Sequence, residues 1–93
     1  MQEKVIERKL RTEAKKIGGM AAKFVSPGLD GMPDRLVLLP GGRCGFVELK
    51  APRKKLRPLQ EKRKKQLEAL GFPVYCIDGI EQIGGVLDEI QST

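Results

Sequence analysis

Asp34, Glu48 and Lys50 are the residues of this chain whose types and spacing could do chemistry. In Phe46-Val47-Glu48-Leu49-Lys50, the period of two of a β-strand puts Val47 and Leu49 on one face and Glu48 and Lys50 on the other. The apolar pair suits a core. Two charged groups on the opposite face of a central strand need a partner, a metal or solvent. Asp34 opens the preceding strand directly after Pro33, and a hairpin closed by Gly41-Gly42 would bring it to the Glu48–Lys50 end. Two carboxylates with a backbone carbonyl and water form a donor set for a hard cation such as Mg²⁺. Such a cation lowers the pKa of a bound water and offsets charge on a phosphoryl oxygen, while a nearby lysine orients the water or stabilises developing charge. The same residues also read as a surface Glu48–Lys50 salt bridge beside a turn capped by Asp34. What favours the first reading is context: a Gly- and Pro-rich loop before the aspartate and a basic helix after the lysine.

The elements that must position these groups follow from patterning. Residues 3–17 are predicted helical, with Ile6, Leu10, Ala14 and Ile17 on one stripe and Gly18-Gly19 as the stop. Glu3 falls in the middle of that stripe and Glu7 on its flank. Strands are expected at Met20–Val25, Asp34–Leu39, Cys44–Lys50 and Pro73–Ile77, and helices at Pro58–Leu70 and Glu81–Ile90. The order is α-β-β-β-α-β-α. On the second helix Leu59, Arg63, Leu67 and Leu70 share a predicted inward stripe, with Gln60 at its edge. The Ser26–Met32 loop is expected as a mobile edge of the site.

The chain has 93 residues, so a single domain over residues 1–93 is expected, with a small core that a second copy would help to stabilise. It has no histidine, which excludes His bases, His triads and His-ligated zinc. Aromatics are only 4%, too few for base-stacking platforms. Cys44 and Cys76 lie in apolar runs without a Cys-x-x-Cys pair and read as buried reduced thiols. No long apolar run and no secretory leader is seen, so a cytoplasmic protein without a membrane partner is expected. The net charge is +6, but residues 50–65 alone hold nine Lys/Arg and one Glu. A patch so concentrated suits a polyanion such as a duplex phosphate backbone.

Taken together, Gly31-Met32-Pro33-Asp34-Arg35, Phe46-Val47-Glu48-Leu49-Lys50-Ala51-Pro52 and Arg57-Pro58-Leu59-Gln60 resemble the VRR-NUC (virus-type replication-repair nuclease) domain. This domain is a branch of the Pro-Asp…(Asp/Glu)-x-Lys nucleases, and the small stand-alone phage and prophage members are the nearest match. The resemblance implies an α/β fold with a restriction-endonuclease-like core: a mixed four-stranded sheet flanked by helices. It implies Mg²⁺ or Mn²⁺ on Asp34, Glu48, the Leu49 carbonyl and a first-helix glutamate, for which Glu3 is preferred to Glu7. Lys50 would be the catalytic lysine and Gln60 a glutamine beside the site. Arg53, Lys54, Lys55, Arg57, Lys62, Arg63, Lys64 and Lys65 would hold the DNA backbone, reading shape rather than sequence. The expected activity is endonucleolytic hydrolysis of branched DNA by a homodimer resembling a Holliday-junction resolvase, phage-encoded or in a bacterial host. A flap or nicking nuclease and a non-catalytic DNA-binding module are the alternatives.

Overall fold

The computed structural model describes residues 2–93. The elements are α1 (Glu3–Lys16), β1 (Met20–Lys23), β2 (Arg35–Leu39), β3 (Arg43–Leu49), α2 (Pro58–Ala69), β4 (Val74–Ile77), a 3-10 turn (Ile80–Gln82) and α3 (Ile83–Gln91). The strands form one sheet in the order β1-β2-β3-β4, antiparallel from β1 to β3 and parallel between β3 and β4. This is the expected mixed sheet, and β3 is an inner strand. The parallel step needs a crossover, and α2 supplies it.

α1 forms because Ile6, Leu10 and Ala14 recur every turn and all three are fully buried. Gly18 ends the helix in the left-handed region at φ 86°. Its N–H donates to the Lys15 carbonyl and that of Gly19 to Ala14, which satisfies the last free carbonyls of the helix. Ile17 therefore lies beyond the last turn and is exposed rather than part of the stripe. Val37 and Leu39 of β2, Val47 and Leu49 of β3, and Ile83, Val86, Leu87 and Ile90 of α3 complete the core under α1. Gly45 of β3 leaves the space that Ile90 of α3 fills, since a Cβ there would meet the Ile90 side chain at 2.9 Å. The last helix tolerates Gly84-Gly85 because its four apolar side chains still face the sheet.

The opposite face of the sheet is built differently. Phe46 packs edge-on against Phe24 and Phe72, at ring separations of 5.6 and 6.1 Å. α2 crosses this side, and here the sequence expectation fails. Leu59 is 40% and Leu70 73% exposed, whereas Gln60 is buried. The inward-facing group is thus the amide at the edge of the expected stripe. In its first turn a carboxylate of the sheet, Glu48, lies beneath the helix, so a polar residue is the one that fits. Both cysteines are free, as expected, but half-buried rather than buried.

Candidate active site

The site lies where β2 begins and β3 ends. The register pairs Arg35 with Val47, so Asp34 and the Glu48–Lys50 segment meet at the open end of the hairpin. Asp34 is fixed there at three points. Its carbonyl accepts the Phe24 N–H at 2.9 Å, its Oδ1 accepts the Leu49 N–H at 3.1 Å, and Pro33 before it is buried. The Lys50 N–H donates to the Ile77 carbonyl at 2.9 Å, which holds the end of β3 against β4. Val47 and Leu49 point into the core, so Glu48 points to the other face, where it is 7% exposed.

A buried carboxylate needs partners. Glu48 Oε2 accepts a hydrogen bond from Gln60 Nε2 at 2.9 Å and lies 3.4 Å from Lys50 Nζ. Gln60 is itself held, because its Oε1 accepts the Arg57 N–H at 2.9 Å, one of the donors left free at the start of α2. The first turn of α2 and the end of β3 are thus joined through one amide. Burial, then the Glu48 charge, pushes the Asp34 carboxyl up to about 6 from its ordinary 3.8, against the lowering effect of the Leu49 N–H; the Glu3 charge adds to the rise. Two carboxylates that repel one another in a half-buried notch are relieved by a cation. By chemistry the donor set suits a hard one: Asp34, Glu48 and the Leu49 carbonyl could hold Mg²⁺, which takes oxygen ligands and keeps several waters.

The first-helix glutamates separate clearly. Glu7 is committed to Arg35 at 2.8 Å, with Arg11 at 3.9 Å. Glu3, one turn earlier, is exposed, and its charge reaches Asp34. No group of three or more His, Cys, Asp or Glu side chains is close enough to share a metal among the described residues, so Glu3 stands outside the Asp34–Glu48 pair. The Cys76 thiol, opposite Glu48 on β4, is pushed up by burial and by nearby Asp78 and Glu48, which keeps it a neutral thiol.

The basic segment divides into groups. Arg53, Lys54, Lys55, Arg57, Lys62 and Lys65 are exposed and Lys64 is half-exposed. Arg53 occupies the left-handed region at φ 69° in the turn after Pro52, an unusual conformation for a residue with a Cβ. Arg63 is turned to the loop before β2, donating from Nε to the Asp30 carbonyl at 2.7 Å and from Nη1 to Gln66 at 3.0 Å. Gly31 presses on the same helix at φ 84°, where a Cβ would lie 2.7 Å from Leu59. The loop expected as a mobile edge is therefore strapped to α2. Sequence reasoning misses Arg35. It alternates with Val37 and Leu39 toward the core, and its guanidinium reaches Glu7 and the Ala21 carbonyl, at 3.1 Å. That period-two position, a cation on an inward face, is the signal that points to it.

No protein-family model matches the chain. The chain is 51% identical over 78 residues, 84% of its own length and 84% of the relative's, to "Putative nuclease p44" of Acyrthosiphon pisum secondary endosymbiont phage 1. Its structure superposes with a TM-score of 0.85 on a solved VRR_NUC domain, at 26% identity, covering 92% of this chain and 94% of that one. The fold and the site thus define an α/β domain that carries Pro-Asp just before one inner strand and Glu-x-Lys at the end of the next. Within that class, the chain belongs to the VRR-NUC family.

Proposed function

We propose that this protein is a divalent-metal-dependent endonuclease that hydrolyses phosphodiesters in branched DNA, acting as a homodimer in the manner of a Holliday-junction resolvase. The observation that carries the reading is the meeting of Asp34, Glu48, Lys50 and Gln60 at one end of the two inner strands. Asp34, Glu48 and the Leu49 carbonyl would hold Mg²⁺ or Mn²⁺, with Glu3 the nearby first-helix carboxylate. When bound, the cation supplies a water of lowered pKa and offsets charge on the phosphoryl oxygen. Lys50, kept beside Glu48, offsets negative charge that develops on the phosphate. Gln60 holds the Glu48 carboxylate in place and is a positioning residue.

Arg53, Lys54, Lys55, Arg57, Lys62, Lys64 and Lys65 neutralise the DNA backbone, contacts that place a substrate without reading its sequence. Arg63 serves the same surface from behind, by fixing the loop. A four-way junction has two-fold symmetry, and a dimer offers it two sites. Leu29, Leu59 and Leu70, exposed on the loop and α2, are apolar surface that a second copy would cover. The name carried by the phage relative supports the nuclease reading.

The test is to uncouple cleavage from binding. Asp34→Asn and Glu48→Gln are each expected to abolish metal-dependent cleavage of a four-way junction and to leave its affinity, measured with chelator, nearly intact. Equal loss of both would overturn the metal-site assignment. Binding by the wild-type protein without cleavage in Mg²⁺ or Mn²⁺ would make it a DNA-binding module instead.

A further inference from the structure

The sequence places the excess positive charge in residues 50–65, and the folded chain adds a second basic surface. Lys4, Arg8, Arg11 and Lys15 recur along α1 at spacings of four, three and four, so they share one stripe, and all are exposed. Arg8, Arg11, Thr12 and Lys15 line a hollow of about 550 Å³ whose other wall includes Met20 and Ala21 of β1. The two flanks of α1 differ. On the far flank, Glu13 takes Lys16 at 2.9 Å and Lys9 at 3.7 Å, which ties both lysines of that side to one carboxylate and halves their charge. On the hollow's flank, Lys4, Arg8 and Lys15 have no ion pair among the described residues, and Arg11 reaches Glu7 only at 3.9 Å while Arg35 holds that glutamate closely.

The stripe starts beside the site, next to Glu3, and runs toward the hairpin end. It spans about 16 Å at 1.5 Å per residue. It also lies on the other side of the sheet from the first basic surface. α1 covers the face that carries Val47 and Leu49, whereas α2 meets the face that carries Glu48. The two surfaces are thus on opposite sides of the sheet, in a molecule that measures 32 × 31 × 22 Å, one starting from Lys4 beside Glu3 and the other following Lys50. A straight duplex lying along one of them cannot also lie along the other, because a duplex this short is stiff. Two arms that diverge from a branch point can.

We propose that the α1–β1 hollow holds the phosphate backbone of a second duplex arm, while the Arg53–Lys65 surface holds the first. The inference rests on the nuclease reading and specifies what selects a branched substrate: two separate arm sites, one on each side of the sheet.

The experiment measures chelator-treated binding to a four-way junction and to a linear duplex of equal length, across a salt series. The proteins are the wild type, Arg8→Ala/Arg11→Ala/Lys15→Ala, and Lys9→Ala/Lys16→Ala as the paired-flank control, with thermal melts confirming that each folds. The triple variant is expected to lose at least about tenfold in junction affinity, with its log–log salt slope reduced by about 2–3, near 0.9 for each phosphate no longer neutralised. Its linear-duplex affinity and the control variant's junction affinity should hold. An unchanged junction affinity and slope would overturn the proposal and point the stripe toward a partner other than DNA. Equal loss on both DNAs would overturn it too, by making the stripe a general charge contribution. Wild-type protein that binds but never cleaves would sink the nuclease reading while leaving this binding result to decide the second-arm site.

Discussion

β3 has two faces in two environments, and they are built for different purposes. Val47 and Leu49 face α1 and α3 in an apolar core, with Ile6, Leu10 and Ile90 fully buried against them. Glu48, on the residue between, is nearly as buried but sits among Gln60, Lys50 and Asp34. The first face converts burial into stability, at roughly 25 cal/mol per Å² of apolar surface. The second keeps polar and charged side chains away from solvent, which costs stability and, in the function proposed above, would serve a cation and a phosphate. Damage to the two faces should therefore separate: core changes should unfold the protein, and site changes should silence it.

The largest effect expected is on the core side. Leu10→Ala should cost about 2–4 kcal/mol, since the smaller side chain leaves a cavity between α1 and the sheet. In a domain of this size that lowers the melting temperature by more than about 8 °C. A melt unchanged by this substitution would mean that α1 does not anchor the core. On the site side, Lys50→Ala should reduce the cleavage rate by about 10²–10³-fold, the usual cost of removing one group that stabilises developing charge. Junction affinity measured with chelator should barely move; a matching loss of binding would make Lys50 a DNA contact instead.

Arg35 joins the two faces, because it ties α1 to the start of β2 one residue after Asp34. Arg35→Ala should cost about 1–3 kcal/mol, by leaving the Ala21 carbonyl and Glu7 without their partner. Arg35→Lys should restore little of it, because an ammonium cannot make both contacts with a planar fork's geometry. Full rescue by lysine would reduce the role to charge alone. The smallest effect is a gain. The Asp34 carboxyl is pushed up to about 6, so its stabilising contribution is complete below its ordinary value of 3.8 and lost as pH rises through 6. With chelator present, Asp34→Asn should therefore raise stability at pH 8 by about 1–2 kcal/mol, after discount for screening, and by nothing below about pH 4. A gain independent of pH would show that the carboxyl charge is not its source.

Much of the fold and the centre of the site are legible in the amino-acid sequence. The order of elements follows from apolar spacing and from Gly and Pro punctuation, and the separation of Val47/Leu49 from Glu48/Lys50 follows from the strand period. The hairpin that brings Asp34 to Glu48 is readable from Gly41-Gly42, both of which adopt positive φ. What fails is equally instructive. The stripe Leu59-Arg63-Leu67-Leu70 obeys helical spacing, yet spacing does not say which neighbour stands on that side, and it is the loop of Asp30 and Gly31 rather than the sheet. Gln60 is the residue drawn inward, because Glu48 waits there. The charge of α1 also escapes a linear count. Lys9 and Lys16 share the Glu13 carboxylate, while Arg8 and Lys15 have no ion pair among the described residues, and folding sets the two pairs on separate flanks.

The measurement that tests the central claim most directly is a cleavage assay on labelled four-way junction, flap and linear duplex, each with Mg²⁺, with Mn²⁺ and with chelator. Paired, symmetric nicks in the junction that require the metal and disappear with chelator are expected. Cuts confined to one strand of a flap would contradict the resolvase reading, and no metal-dependent cut in any of the three would contradict the site itself.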